Sequence, residues 1–320
     1  MQSIVRIITA LNTMRRNREY RAGWFLAGAG AALALGMACA TPLAAAQATG
    51  GAEGHDASSL LARYGELTPQ LQKNQFQRPL ALQSTESAAN LKGDIYAVLD
   101  YPFATVSMAF NGPDHWCDML ILHLNTKYCR AVTQSGKSQL QVNVGKKHDQ
   151  PLADAYRVNF NLAVTASTSD YLDVVLSARD GPMGTSDYRI LLQAVALPNG
   201  RTFMHLTYSY AYGMAARIAM KAYLSTVGSD KVGFTRIQGG GDAQYIGGVR
   251  GVVERNTMRY YLAIDAYLSA LGVAEPQQLE RRLQTWFAAT ERYPRQLHEV
   301  SRDEYIEMKR SEYQRQRTPQ

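Results

Sequence analysis

Met204, Leu206, Tyr208, Tyr210 and Tyr212 alternate with Phe203, His205, Thr207, Ser209 and Ala211. A period of two places the first set on one side of a strand. A row of tyrosines offers apolar walls with hydroxyls that can orient a headgroup. Ordinary core tyrosines with satisfied hydroxyls are the competing reading. Tyr156, Val158 and Phe160 would line the same side of another strand, again in competition with plain core packing. His205 falls on the opposite side and reads as structural or exposed. Arg250, Glu254, Arg255 and Arg259 gather near the start of a helix. Backbone amides there attract anions, and arginine grips a phosphate or carboxylate with two parallel bonds. A salt-bridge network is the alternative. The candidate ligand-binding set is therefore Tyr156, Phe160, Met204, Leu206, Tyr208, Tyr210, Arg250 and Arg259.

Signals of catalysis are missing from the sequence. No serine stands in a Gly-x-Ser-x-Gly elbow. The glycine-rich stretch 239–248 carries neither a Walker pattern nor a dinucleotide fingerprint, and reads as a loop. His115 and His123 read as non-catalytic. With Cys117 and Cys129 they lie close in sequence, but in a spacing that matches no zinc pattern. No catalytic residue, metal or cofactor is expected.

The compartment is read from the first residues. Arg15, Arg16, Arg18 and Arg21 form a basic patch, residues 24–40 are uncharged and rich in Ala, Gly and Leu, and Ala44-Ala45-Ala46 precedes Gln47. This is the layout of a cleaved secretory signal over residues 1–46, with an uncleaved anchor helix as the alternative. The expectation is a periplasmic protein. An oxidising compartment favours pairing Cys117 with Cys129. Two buried thiols or a metal centre are the alternatives.

The whole chain has 34 Lys+Arg against 27 Asp+Glu. Without residues 1–46 the balance is 29 against 26, a net +3, which is no nucleic-acid footprint. The 19 tyrosines suit an amphipathic pocket or interface better than a dry core.

These residues need elements to hold them. Residues 58–73 read as a helix interrupted near Pro69, and residues 74–90 show no firm period. Residues 93–106 read as a strand running into a turn at Pro102, and 112–124 as a helix. About five strands at hairpin spacing follow, of which 156–164 alternates most cleanly, as an antiparallel sheet with one wet face requires. A helix starts at Met214, and a long one spans 252–271. Pro276 opens another, and Ser301-x-x-Glu304 caps a charged last helix.

This order resembles the START-like helix-grip superfamily. The stretch Gly93-Asp94-Ile95-Tyr96-Ala97-Val98, then Pro102-Phe103, then Asp114-His115-Trp116-Cys117-Asp118-Met119-Leu120 looks like its opening strand and first helices. Residues 256–271 look like its gripping helix. The resemblance implies an α+β fold in which a curved antiparallel sheet wraps a long C-terminal helix over an apolar cavity. The expected organisation is a signal peptide at 1–46, a helical or flexible segment at 47–90, the helix-grip domain at 91–272 and a helical extension at 273–320. The implied partner is a lipid-like or aromatic small molecule, bound without catalysis. Two other functions stay open. One is an envelope scaffold docking a protein or membrane surface through the charged C-terminal helices. The other is a cyclase or hydrolase that needs a polar pair deep in the cavity.

Overall fold

The computed structural model describes residues 55–224, 231–237 and 244–318. The expected signal peptide and the glycines 239–241 lie outside them. Eight strands form one sheet: β1 (Leu80–Glu86), β2 (Asn90–Leu99), β3 (Thr126–Gln134), β4 (Lys137–Val144), β5 (Tyr156–Ser167), β6 (Tyr171–Asp180), β7 (Thr185–Ala196) and β8 (Thr202–Tyr212). Their spatial order is β1-β2-β8-β7-β6-β5-β4-β3, and every pairing is antiparallel. Strands β3 and β4 are joined through Ser135 and Gly136, both at positive φ (51° and 74°). A two-residue hairpin loop needs that backbone to match strand twist. Register shifts in β3, β5 and β7 bend the sheet. In β5, Val158 and Phe160 point inward while Arg157, Asn159 and Asn161 are exposed, as the alternation predicts.

One long helix, α5 (Gly248–Ser269), lies across the inner face of the sheet. The short helices α2 (Phe103–Asn111) and α3 (Pro113–Leu120) share that side. Leu91, Ile95, Ala97 and Leu99 of β2 join Val253, Met258, Tyr261 and Leu262 of α5 in one core. This is the helix-grip arrangement. The helix comes close because β2 has no side chain at Gly93, where a Cβ would overlap the Thr257 hydroxyl.

The outer face is covered too. Helix α1 (Ala57–Gln72) starts at Asp56, whose side chain accepts from the Ser59 amide. It passes through Pro69 without ending, and Lys73 still donates to the Pro69 carbonyl at 3.0 Å. The expected interruption is only a missing donor at that turn. Leu60, Leu67 and Leu71 pack on Ala81, Tyr96, Val98, Tyr171, Val195, Leu197 and Phe203. The central strands are therefore buried on both faces rather than wet on one.

The chain after β8 begins with α4 (Met214–Leu224) and a short pairing of β9 (Arg236–Ile237) with β10 (Gln244–Tyr245). Beyond α5 come α6 (Glu275–Glu291), α7 (Pro294–Leu297) and α8 (Arg302–Arg317). Ser301 caps α8 by accepting from the Glu304 amide. The C-terminal helices are built into the main core. Trp286 stacks on Tyr305 at 4.8 Å and donates to the Arg259 carbonyl, and the Tyr305 hydroxyl donates to the Leu122 carbonyl. Lys127, Lys309 and Glu312 are fully buried together, with Glu312 accepting from both lysines at 3.0 and 2.7 Å. Lys309 also donates to the His123 and Thr126 carbonyls, which locks α8 to β3.

Cys117 of α3 and Cys129 of β3 form a disulfide across a separation of 12 residues. Three predictions follow from this packing. Gly93→Val should destabilise the fold by about 1–3 kcal/mol through overpacking, read as a lower denaturant midpoint. Replacing both cysteines by serine should cost about 3 kcal/mol, as a loop of this length implies, read by urea unfolding. The third concerns pH. Burial lowers the Lys309 pKa to about 8 against the opposing pull of Glu312. Between that value and the ordinary 10.5 the unfolded chain binds more protons than the folded one, so stability rises with pH. Burial also raises Tyr208 and Tyr305 well above 10.0, so above that pH the sign reverses. Urea midpoints should climb from about pH 8 to about pH 10 and then fall, and Lys309→Met should flatten the climb.

Candidate functional site

Inward-facing alternation on β8 sets Tyr208 and Tyr210 side by side with ring centres 5.6 Å apart. The neighbouring strand β7 brings Tyr188 to 5.2 Å from Tyr210, stacked, and β5 brings Phe160 edge-on to Tyr188. Helix α5 closes the row with Tyr260, 5.2 Å from Tyr208. His123, in the connection between α3 and β3, stacks on Tyr260 at 4.8 Å. Tyr188 shares a hydrogen bond with Thr185, but the hydroxyls of Tyr208, Tyr210 and Tyr260 have no partner among the described residues. Burial pushes all three phenols upward, so each remains a neutral donor and acceptor.

His123 Nδ1 accepts from the Asn125 amide at 3.1 Å, which puts the ring proton on Nε2. Nε2 is buried and has no hydrogen-bond partner among the described residues. Burial, then the charges of Arg259, Lys309, Lys147 and Lys127, holds His123 well below 6.5. The ring is thus a neutral donor with nothing to donate to.

Beside it lies an excess of positive charge. Glu299 accepts from Arg259 at 2.7 Å and from Lys147 at 2.6 Å, with Lys231 at 3.8 Å from its other oxygen. Three cations thus share one carboxylate that is 10% exposed. Arg259 is 1% exposed, and its Nε is a second buried donor without a partner among the described residues. Burial, then Arg259, lowers Lys147 to about 8 against the pull of Glu299. Burial raises the Glu299 carboxyl, but Arg259 and Lys147 outweigh it and hold it below 4.5. An aromatic row with unpaired hydroxyls therefore runs to a cationic end with unpaired N–H groups. Such an arrangement suits an apolar body with an acidic head.

The expected residues are only partly brought together. Tyr208, Tyr210 and Phe160 stand in the row and Arg259 at its end. Met204 and Leu206 are fully buried in the core with β2 and α5. Tyr156, the first residue of β5, is 43% exposed and stands outside the row. Arg250 donates to Ser84 of β1, which in turn donates to Glu254. Nine residues of helix separate Arg250 from Arg259, about 13 Å along the axis, so the two cannot share one head. Four cavities of about 230 to 530 Å³ among the described residues lie outside the tyrosine row, so none of them is the apolar cavity expected between sheet and helix. His123, Lys147, Tyr188, Tyr260 and Glu299 escaped sequence reasoning as site residues. Only the helical position of Tyr260, next to Arg259, could have flagged one of them.

A second polar cluster sits on the outer face under α1. His205 pairs with Asp94 at 2.9 Å through Nε2 and with Gln193 at 3.0 Å through Nδ1. Gln193 donates on to Tyr171 and Asp173, Asp173 holds His55 at 2.9 Å, and Thr207 donates to Asp94. A polar pair of the kind an enzyme needs thus exists, but on the wrong side of the sheet and with both ring nitrogens engaged. Among the described residues no group of His, Cys, Asp or Glu could hold a metal. Trp286 and Phe287 are both packed against Tyr305.

No protein-family model matches this chain, and no curated protein is similar to it. Among solved structures it is similar to a conserved protein from Geobacillus kaustophilus, at 12% identity over 56% of this chain and 95% of that one, TM-score 0.34. It is similar to truncated norcoclaurine synthase from Thalictrum flavum at 9% identity, over 45% and 90%, TM-score 0.32. Human StAR-related lipid transfer protein 5 shows 7% identity over 53% and 89%, TM-score 0.29. At such TM-scores these likenesses carry no argument about function, and the helix-grip description rests on the strand order and the long helix.

Proposed function

We propose that this protein binds an amphipathic small molecule with an acidic head and performs no chemistry on it. The observation that carries the reading is the sharing of Glu299 by Arg259, Lys147 and Lys231 at the end of the aromatic row. A carboxylate or phosphate there would balance the surplus charge and accept from His123 Nε2 and Arg259 Nε, whose burial without a partner is otherwise costly. The apolar body would lie along Tyr208, Tyr210 and Tyr260. A periplasmic location belongs to the same reading, and the Cys117–Cys129 bond supports an oxidising compartment.

Dodecanoate and dodecanol separate head from chain. Dodecanoate should bind more tightly than the alcohol, and Lys147→Gln should weaken it about tenfold, the scale of one charge-assisted bond. Binding should also weaken as pH rises through about 8, where Lys147 loses its charge. Arg250→Gln should leave affinity unchanged. Equal affinity for acid and alcohol in calorimetry, or indifference to Lys147→Gln, would remove the proposal.

A further inference from the structure

A separate cavity of about 230 Å³ opens between the segment before β1, strands β9 and β10, and the start of α7. Its base is a triad of rings. Phe76, Phe234 and Tyr293 lie 5.5 to 6.3 Å apart in tilted and edge-on contacts. Hydrogen bonds set them in place: Tyr293 donates to the Phe76 carbonyl at 3.0 Å, and Gln75 Nε2 donates to the Phe234 carbonyl at 2.6 Å. That second bond leaves Gln75 Oε1 buried with no partner among the described residues. Gln296 also lines the cavity. Its residue is 7% exposed, yet its side-chain amide bonds to no described residue. Arg236 and Arg292 complete the wall, and no carboxylate lines it among the described residues.

We infer that this cavity is a binding site for a small aromatic carboxylate bearing a hydroxyl or N–H group. The volume is below the usual range for drug-sized ligands, which disfavours an acyl chain and fits one ring. Ring edges and faces in the base offer stacking. The two guanidinium groups supply the charge for a carboxylate, and a planar acid suits their geometry better than a point charge would. Gln75 Oε1 accepts but cannot donate, so it calls for a donor on the ligand. The Gln296 amide can serve either need. None of these residues takes part in the Lys147–Arg259 site, so the inference stands independently of the function proposed above.

The test is a titration of the protein with 4-hydroxybenzoate, followed by NMR of the glutamine side-chain amides and by calorimetry. The signals of Gln75 and Gln296 should shift together and saturably. Arg236→Gln with Arg292→Gln should weaken binding at least about tenfold, as should replacing the ligand by 4-hydroxybenzyl alcohol. Both arginines are exposed, so the double variant should keep the wild-type fold. Arg310→Gln, at an exposed ion pair with Glu280, should leave binding unchanged. Absence of shifts at millimolar ligand overturns the inference, as does binding that survives loss of both arginines. Inorganic phosphate binding as well as the aromatic acid would overturn it too, because the ring base would then contribute nothing.

Discussion

Helix α5 carries Glu254, Arg255 and Arg259 into an interior almost closed to water, at 0%, 5% and 1% exposure. Buried charges are tolerated only when other groups satisfy them. Much of the architecture beyond the sheet answers that demand. Glu254 accepts from the backbone of Phe234 and Thr235, the Thr235 hydroxyl and Ser84, which fixes the strip of chain before β9 and ties it to β1. Arg255 donates to the Val232 carbonyl. Arg259 draws in Glu299 and the Leu297 carbonyl, and so seats the link between α7 and α8. The helix thus organises the later chain by electrostatics as much as by apolar contact.

The same helix explains how the two faces of the sheet came to differ. Its side is apolar and aromatic, interrupted by the cationic end at Lys147 and Arg259. The opposite side is closed by α1, whose leucines leave room for the Asp94–His205–Gln193–Asp173 chain of hydrogen bonds. That chain is fully satisfied, while the inner face keeps unpaired donors. Buried polar groups ordinarily have partners, so the inner face departs from that rule where the outer face obeys it.

Local signals were legible. The period of two in β5 and β8, the Cys117–Cys129 pairing, the Ser301 cap and the long helix all follow from near neighbours in the chain. Contacts between distant residues were not. Lys147 and Glu299 are 152 positions apart, and His205 and Asp94 are 111 apart. Residues His205 and Thr207 look like a solvent face by alternation, and nothing nearby in sequence announces that α1 will cover them. Arg250 and Arg259 look like neighbours in one cluster, but the rise of a helix parts them. Residues 273–320 look like an extension because their charges suit a wet surface, whereas Trp286, Tyr305 and Lys309 reach back into the core.

The strand order carries a consequence for assembly. Strands β3 to β8 follow one another as neighbours, so each can pair with the strand just synthesised. Strand β2 must wait for β8, since residues 90–99 pair with residues 202–211. Closing so long a loop is costly until the later contacts reward it, so this seam joins late. Until then β2 presents an open hydrogen-bonding edge, with β1 as its only neighbour. A chain emerging in order therefore passes through a stage in which its first hairpin is a template for wrong partners, and β8 is the element that ends that exposure.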